Sequence, residues 1–293
     1  MLKGSYVALV TPFKNNDIDY NALETLIEFQ IKNGTDGILL MGTTGESPNI
    51  ASDERERLLQ FCIQKIDKRV KIMVGTGTNN FHQTLSSTKK AVKLGVDYAL
   101  VITPYYIKPT QKSLYEYFKL IAGEVEIPIV IYNVPGRTGV NMNSETTVKL
   151  AKECKNIVGI KEATGDILQA SRIVMGTDKN FSVMSGEDAL NLPLYAVGCK
   201  GTISVTANII PDKVHRLWAL CMDNKWNEAR KLHEEMLELN NMMFIETNPI
   251  PVKETLAMMG MIDLEIRMPL TLLEEKNREL LRESLIRNKL IKK

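Results

Sequence analysis

Short apolar runs alternate with runs of helical spacing along most of the chain. Residues 6–10, 37–41, 71–75, 97–102, 128–132, 156–161, 181–185 and 201–205 are short, mostly apolar runs, and 156–161 is β-branched and bounded by turn residues. That pattern predicts buried strands. Between them lie helix-like stretches, of which 19–32 is typical: Leu23, Leu26, Ile27 and Ile31 fall on one face. Others are predicted over 52–67, up to about 94, over 114–124 and 144–153, and from Pro211, with Ser52 expected to cap the second. Strands joined by helical crossovers run parallel. Eight such units close most naturally into an α/β fold of the (β/α)8 or TIM-barrel type. A doubly wound open sheet is the alternative, but no G-x-G-x-x-G opens the first crossover, and Gly75-Thr76-Gly77 is only a short turn.

The alternation stops near Trp226. Residues 227–243, 252–259 and 271–290 read as helices, with Thr247-Asn248-Pro249-Ile250-Pro251 breaking the series. The expected division is therefore a barrel over 1–224 that carries the active site and a C-terminal helical extension over 225–293. Methionines 242, 243, 258, 259 and 261 are expected to fill core gaps. Lys289, Lys292 and Lys293 read as a solvated end.

Composition narrows the function. A net charge of +2 on 293 residues, with 44% hydrophobic and 25% charged, is ordinary for a soluble globular protein. It gives no nucleic-acid footprint. Cys62, Cys154, Cys199 and Cys221 are scattered, as small apolar fillers in a reducing compartment would be. No signal-peptide pattern and no bilayer-length apolar run is seen, so a cytoplasmic protein without membrane association is expected. His82, His215 and His233 stand apart without ligand spacing, so neither a metal nor another cofactor is expected. Residues 53–57 read as a solvated helix face.

In a (β/α)8 barrel the site lies at the C-terminal ends of the strands. That rule brings Thr43, Thr44, Tyr106, Tyr132, Arg137, Lys161, Gly186 and Ile203 to one face. Lys161 stands out, because an ammonium is rarely buried unless paired. Burial lowers a lysine's pKa and leaves more of the free amine that attacks carbonyls. The plain alternative is a lysine paired with Glu162 or snorkelling to solvent. A lysine amine turns a ketone into an iminium and then an enamine, if a neighbour moves the protons. A phenol both donates and accepts, and Tyr132 closes the adjacent strand. Thr43 would relay between hydroxyls, Arg137 offers a planar fork for a carboxylate, and backbone N–H groups beside Thr44 suit a second one.

The segments Gly42-Thr43-Thr44-Gly45-Glu46-Ser47, Tyr132-Asn133-Val134-Pro135-Gly136-Arg137-Thr138-Gly139 and Gly159-Ile160-Lys161-Glu162-Ala163-Thr164-Gly165 resemble the 4-hydroxy-tetrahydrodipicolinate synthase family. Thr103-Pro104-Tyr105-Tyr106, residues 201–208 and residues 246–253 resemble it too, and the likeness runs nearly the whole length. It implies that Lys161 forms a Schiff base with pyruvate and that Tyr132 moves protons in a relay with Thr43 and Tyr106. Tyr106 would enter the site of a neighbouring subunit, in a homo-oligomer that is commonly a dimer of dimers. Thr44 and the backbone at Ile203 would hold the pyruvate carboxylate, Gly186 would line the pocket, and Arg137 would take the carboxylate of L-aspartate 4-semialdehyde. The product would feed lysine and diaminopimelate synthesis. Related aldolases for sugar acids share the lysine and tyrosine, but Arg137 favours the synthase. A non-catalytic barrel that senses a small acid is a third reading. Ser52, Arg55 and Gln83 replace the expected partners of a regulatory lysine, while Asn79 and Tyr105 are kept, which implies weak or absent feedback inhibition.

Overall fold

The computed structural model describes residues 1–292, so Lys293 of the expected solvated end lies outside the described residues. Eight parallel strands pair in chain order and close into a barrel. They are β1 (Gly4–Ala8), β2 (Gly37–Leu40), β3 (Lys71–Gly75), β4 (Tyr98–Ile102), β5 (Ile129–Asn133), β6 (Ile157–Glu162), β7 (Ser182–Ser185) and β8 (Gly201–Ser204). The helices that follow them are α1 (Tyr20–Lys32), α2 (Ser52–Ile66), α3 (Phe81–Lys93), α4 (Gln111–Glu124), α5 (Ser144–Glu153), α6 (Ile167–Gly176), α7 (Asn191–Ala196) and α8 (Pro211–Met222). Three more, α9 (Trp226–Met242), α10 (Ile250–Met258) and α11 (Glu275–Arg287), complete the chain. By contacts the chain forms two compact units: Met1–Gly4 with Lys71–Ile203, and Ser5–Val70 with Ser204 onward.

The strands form where the sequence is apolar on both faces, as parallel strands under helices must be. Ile129, Val130 and Ile131 of β5 are fully buried. Each such side chain contributes about 1.5–3 kcal/mol relative to exposure. Register between β5 and β6 shifts once. Ile129 pairs with Ile157 but Val130 pairs with Gly159, so Val158 has no partner opposite. This is a bulge, an uncommon feature between parallel strands. Gly159 follows it, and a Cβ there would lie 2.5 Å from the Ser182 carbonyl oxygen.

Several expected boundaries move for identifiable reasons. Helix α2 begins at Ser52 itself, and Ala51 takes the cap position. Glu54 accepts the Ala51 N–H at 2.8 Å, so a carboxylate one turn on replaces the capping hydroxyl. Helix α4 begins three residues early because Thr110 accepts the Ser113 N–H at 3.2 Å. Helix α10 admits Pro251 in its first turn, where a missing N–H costs nothing. Residues 271–274 stay outside α11, as the Leu273 and Glu274 N–H groups donate to Glu254 and Glu246. A two-stranded ribbon, Phe13–Lys14 with Asp17–Ile18, was not expected. Asn15 and Asn16 turn it at φ of +53° and +64°, where asparagine is tolerated.

Two readings of charge are corrected. Residues 53–57 are not wholly solvated: Arg267 pairs with Glu54 at 2.6 Å, and Arg55 donates to the Ser47 carbonyl at 2.5 Å. A spacing rule sees only the helix's own neighbours, and Arg267 is far along the chain. His215 is not isolated either, since its Nδ1 lies 3.0 Å from Asp36. The four cysteines are free and buried. Met243 is buried, whereas Met242, Met258, Met259 and Met261 are half-buried.

Candidate active site

Lys161 is the penultimate residue of β6 and pairs in register with Tyr132 on β5. Residues opposite each other on neighbouring strands share a face. Lys161 Nζ accordingly lies 4.7 Å from the centroid of the Tyr132 ring. Both side chains are buried, Lys161 to 6% exposure. The ring's negative face offsets part of the amine's desolvation when it is charged.

Glu162 faces the other way and does not pair with the lysine. Its carboxylate accepts from Asn133 Nδ2 at 3.2 Å, Gln169 Nε2 at 3.1 Å and Thr164 N–H at 3.0 Å. Burial pushes this carboxyl above its ordinary range, against the pull of those donors. Lys161 forms no ion pair among the described residues. The alternative of a lysine neutralised by Glu162 is therefore set aside.

The end of β7 passes close over the lysine. Gly186 N–H donates to the Glu162 carbonyl at 2.8 Å. A Cβ at 186 would lie 3.1 Å from Lys161 Cε and 2.6 Å from Ala163 Cβ, so only glycine fits without displacement. The Ser185 hydroxyl then clasps the backbone of Glu187, accepting from its N–H and donating to its carbonyl. Burial raises the Glu187 carboxyl, Asp188 adds to the effect, and Lys161 and Arg137 oppose it. Glu187 thus lies in the field of both cations, a role its sequence context did not reveal. Ile203 is buried on β8, next to Thr202, which pairs with Ser185.

Arg137 lies on a single helical turn, Pro135–Thr138. Proline starts the turn, and the Arg137 and Thr138 N–H groups both donate to the Val134 carbonyl. The turn places Arg137 just beyond β5 with its side chain exposed. Tyr106 follows β4 at φ +71°, an unfavourable conformation for a bulky residue. Its N–H donates to the Thr138 carbonyl at 3.3 Å, and its side chain is 87% exposed. Within one chain, then, Tyr106 is not buried beside Tyr132.

In the other compact unit, Thr43 and Thr44 lie on the turn after β2, half-buried and buried. Thr44 Oγ1 accepts from Asn248 Nδ2 at 3.0 Å. Two residues on, Glu46 accepts from Lys253 Nζ at 2.6 Å, in a pair with no solvent exposure. Burial lowers the Lys253 ammonium pKa, opposed by Glu46. Its Nζ also sits 4.3 Å from the Phe13 ring centroid, with Arg267 stacked on the same ring at 4.1 Å. The turn is thereby tied to the start of α10 at two points. Among the described residues no cluster of three or more His, Cys, Asp or Glu could hold a metal ion. No described helix is long and apolar enough to cross a membrane.

A closed parallel barrel with a buried lysine and a phenol at the ends of neighbouring strands defines a class of (β/α)8-barrel enzyme built around an amine. The profile of the dihydrodipicolinate synthetase family matches residues 1–288, and the chain belongs to that family. The 4-hydroxy-tetrahydrodipicolinate synthase of Thermodesulfovibrio yellowstonii is 49% identical over 292 residues, covering 100% of both chains. The crystal structure of dihydrodipicolinate synthase from Aquifex aeolicus superposes with a TM-score of 0.97 at 46% identity, again over 100% of both. A chloride-inhibited dihydrodipicolinate synthase from Acinetobacter baumannii, solved in complex with pyruvate, gives 0.97 at 43% identity, covering 99% of this chain and 100% of that one.

Proposed function

We propose that this enzyme condenses pyruvate with L-aspartate 4-semialdehyde to give 4-hydroxy-tetrahydrodipicolinate, in the synthesis of diaminopimelate and lysine. The observation that carries this reading is the register pairing of Lys161 with Tyr132, with the amine 4.7 Å from the ring centroid and no carboxylate paired with it among the described residues. The Lys161 amine adds to C2 of pyruvate, and loss of water leaves an iminium. Its positive charge acidifies the methyl group. Tyr132 accepts a methyl proton, and the resulting enamine attacks the aldehyde carbon of the second substrate. The new alkoxide takes up a proton and becomes the 4-hydroxyl. The substrate's own amino group then attacks C2, closes a six-membered ring and expels the Lys161 amine. Lys161 is regenerated, and the one water lost balances the reaction.

The remaining roles follow the family resemblance residue by residue. Thr43 and Tyr106 relay protons to Tyr132. Thr44 and the backbone at Ile203 hold the pyruvate carboxylate, and Gly186 leaves room beside the lysine stem. Arg137 binds the carboxylate of the semialdehyde by its planar fork. A polyhydroxylated sugar acid would call for neutral hydrogen-bonding groups at that position. The exposure of Tyr106 supports its donation to a partner's site, with a homodimer as the working unit and a dimer of dimers as the assembly.

Borohydride reduction in the presence of pyruvate tests the central step. The expected result is a single mass adduct on Lys161, lost in Lys161→Ala, with turnover on aspartate semialdehyde and none on N-acetylneuraminate. An unmodified protein would favour a small-acid sensor, and the converse substrate preference would favour an aldolase.

A further inference from the structure

We infer that Asn248 is a positioning residue that sets the direction of the Thr44 hydroxyl and so tunes pyruvate affinity. The inference rests on the proposed role of Thr44 at the pyruvate carboxylate. A threonine hydroxyl has one proton to donate and two lone pairs to accept with. Asn248 Nδ2 donates into one lone pair of Thr44 Oγ1 at 3.0 Å. The hydroxyl's own proton has no acceptor among the described residues, which leaves it to an incoming anion. Donation into the oxygen also polarises the O–H and strengthens its next bond.

The amide is held where this needs it. Asn248 and Thr44 are both buried, at 4% and 2% exposure. Asn248 lies two residues before α10, and α10 carries Lys253, whose bond to Glu46 anchors the same turn. A short rigid element thus presents an N–H donor to one residue of the turn and an ammonium to another. The bond from Asn248 Nδ2 to Thr44 Oγ1 is the route by which the amide would act on pyruvate binding.

Polarity reversal separates this role from simple packing. Asn248→Asp replaces the donor with an acceptor. Thr44 must then donate to the aspartate, and a negative charge is placed behind the carboxylate site. The KM for pyruvate should rise about tenfold or more, with kcat and the KM for aspartate semialdehyde changing only a few-fold. Asn248→Ser is too short to reach and adds no charge, and it should raise the pyruvate KM less, by about three- to tenfold. In a Thr44→Val background, Asn248→Ser should add nothing further. The pyruvate concentration that half-saturates borohydride trapping should move in parallel, and thermal melts identify any variant that fails to fold. If Asn248→Asp does not fold, the serine variant and its double mutant decide the matter. An unchanged pyruvate KM, a loss confined to kcat, or full additivity with Thr44→Val overturns the assignment. A wild-type chain that traps no pyruvate overturns the proposed function with it, whereas normal trapping with an unaffected pair of variants overturns this assignment alone.

Discussion

Lys161 and Glu162 are adjacent in sequence and opposite in fate. Strand alternation sends the amine to the face of Tyr132 and the carboxylate to Asn133 and Gln169. The presence of a strand lysine, a strand-end tyrosine and an arginine just beyond that strand was readable from residue order alone. The partner of Glu162 was not, because Gln169 and Asn133 come from a helix and a neighbouring strand. Glu187 and Asn248 were likewise passed over, since nothing in their local sequence shows that one sits in the field of Lys161 and Arg137 or that the other bonds Thr44. In the proposed mechanism, the residue that separates binding from chemistry is Tyr132. Tyr132→Phe keeps the ring against the amine and removes the hydroxyl. Its kcat should fall by about 10²–10⁴-fold, the range for loss of a general acid–base. Mass spectrometry after long incubation with pyruvate and borohydride should still find the Lys161 adduct. Retention of full turnover in this variant would assign the proton transfers to another group.

At the scale of elements, apolar runs located every barrel strand, and β3 and α5 lie where the periodicity put them. The boundaries that moved did so through single polar contacts: Glu54 to Ala51, Thr110 to Ser113, and Glu246 to Glu274. Such contacts depend on which groups remain unbonded at a helix end, and hydrophobic spacing carries no information about that. Helix α8 offers a pH-dependent example. His215 bonds Asp36, whose carboxylate also accepts the Ser5 N–H at 2.8 Å. The hydrogen bond to Asp36 raises the His215 pKa above its ordinary value of 6.5, with burial opposing. A folded-state pKa above the unfolded one stabilises most fully below the unfolded value, and the contribution is lost as pH rises through the folded value. Both side chains are one-third exposed, so the difference should stay below about 1 kcal/mol. Urea unfolding at pH 6 and pH 8.5 should show the wild type losing stability across this window and His215→Gln showing a flatter profile. An equal slope in both would remove the pair from the stability of the fold.

For the molecule as a whole, the eightfold alternation was enough to specify a closed barrel, because parallel strands with helical crossovers have few other ways to bury both faces. Buried charge at long range was not legible: Glu54 with Arg267 and Glu46 with Lys253 link positions more than two hundred residues apart. The proposed assembly turns on Tyr106. A bulky side chain held at positive φ and left almost fully exposed is poorly placed for a chain that works alone. Specific activity should therefore fall on dilution in step with dissociation seen by sedimentation velocity. Tyr106→Phe should lower kcat without changing the sedimenting species. Constant activity across a dissociation transition would show that each chain is catalytically self-sufficient.

The unpaired Val158 has a consequence for how this enzyme can be altered. It lies between Ile157, opposite Ile129, and Gly159, opposite Val130, so the slip in alternation is complete before Lys161 is reached. Deleting Val158 alone should leave the amine facing Tyr132, whereas deleting Ile160, between the slip and the amine, would turn Lys161 away and bring Glu162 round in its place. A graft of this strand onto another barrel must therefore keep Gly159-Ile160-Lys161 together, while the surplus residue ahead of them can be dropped.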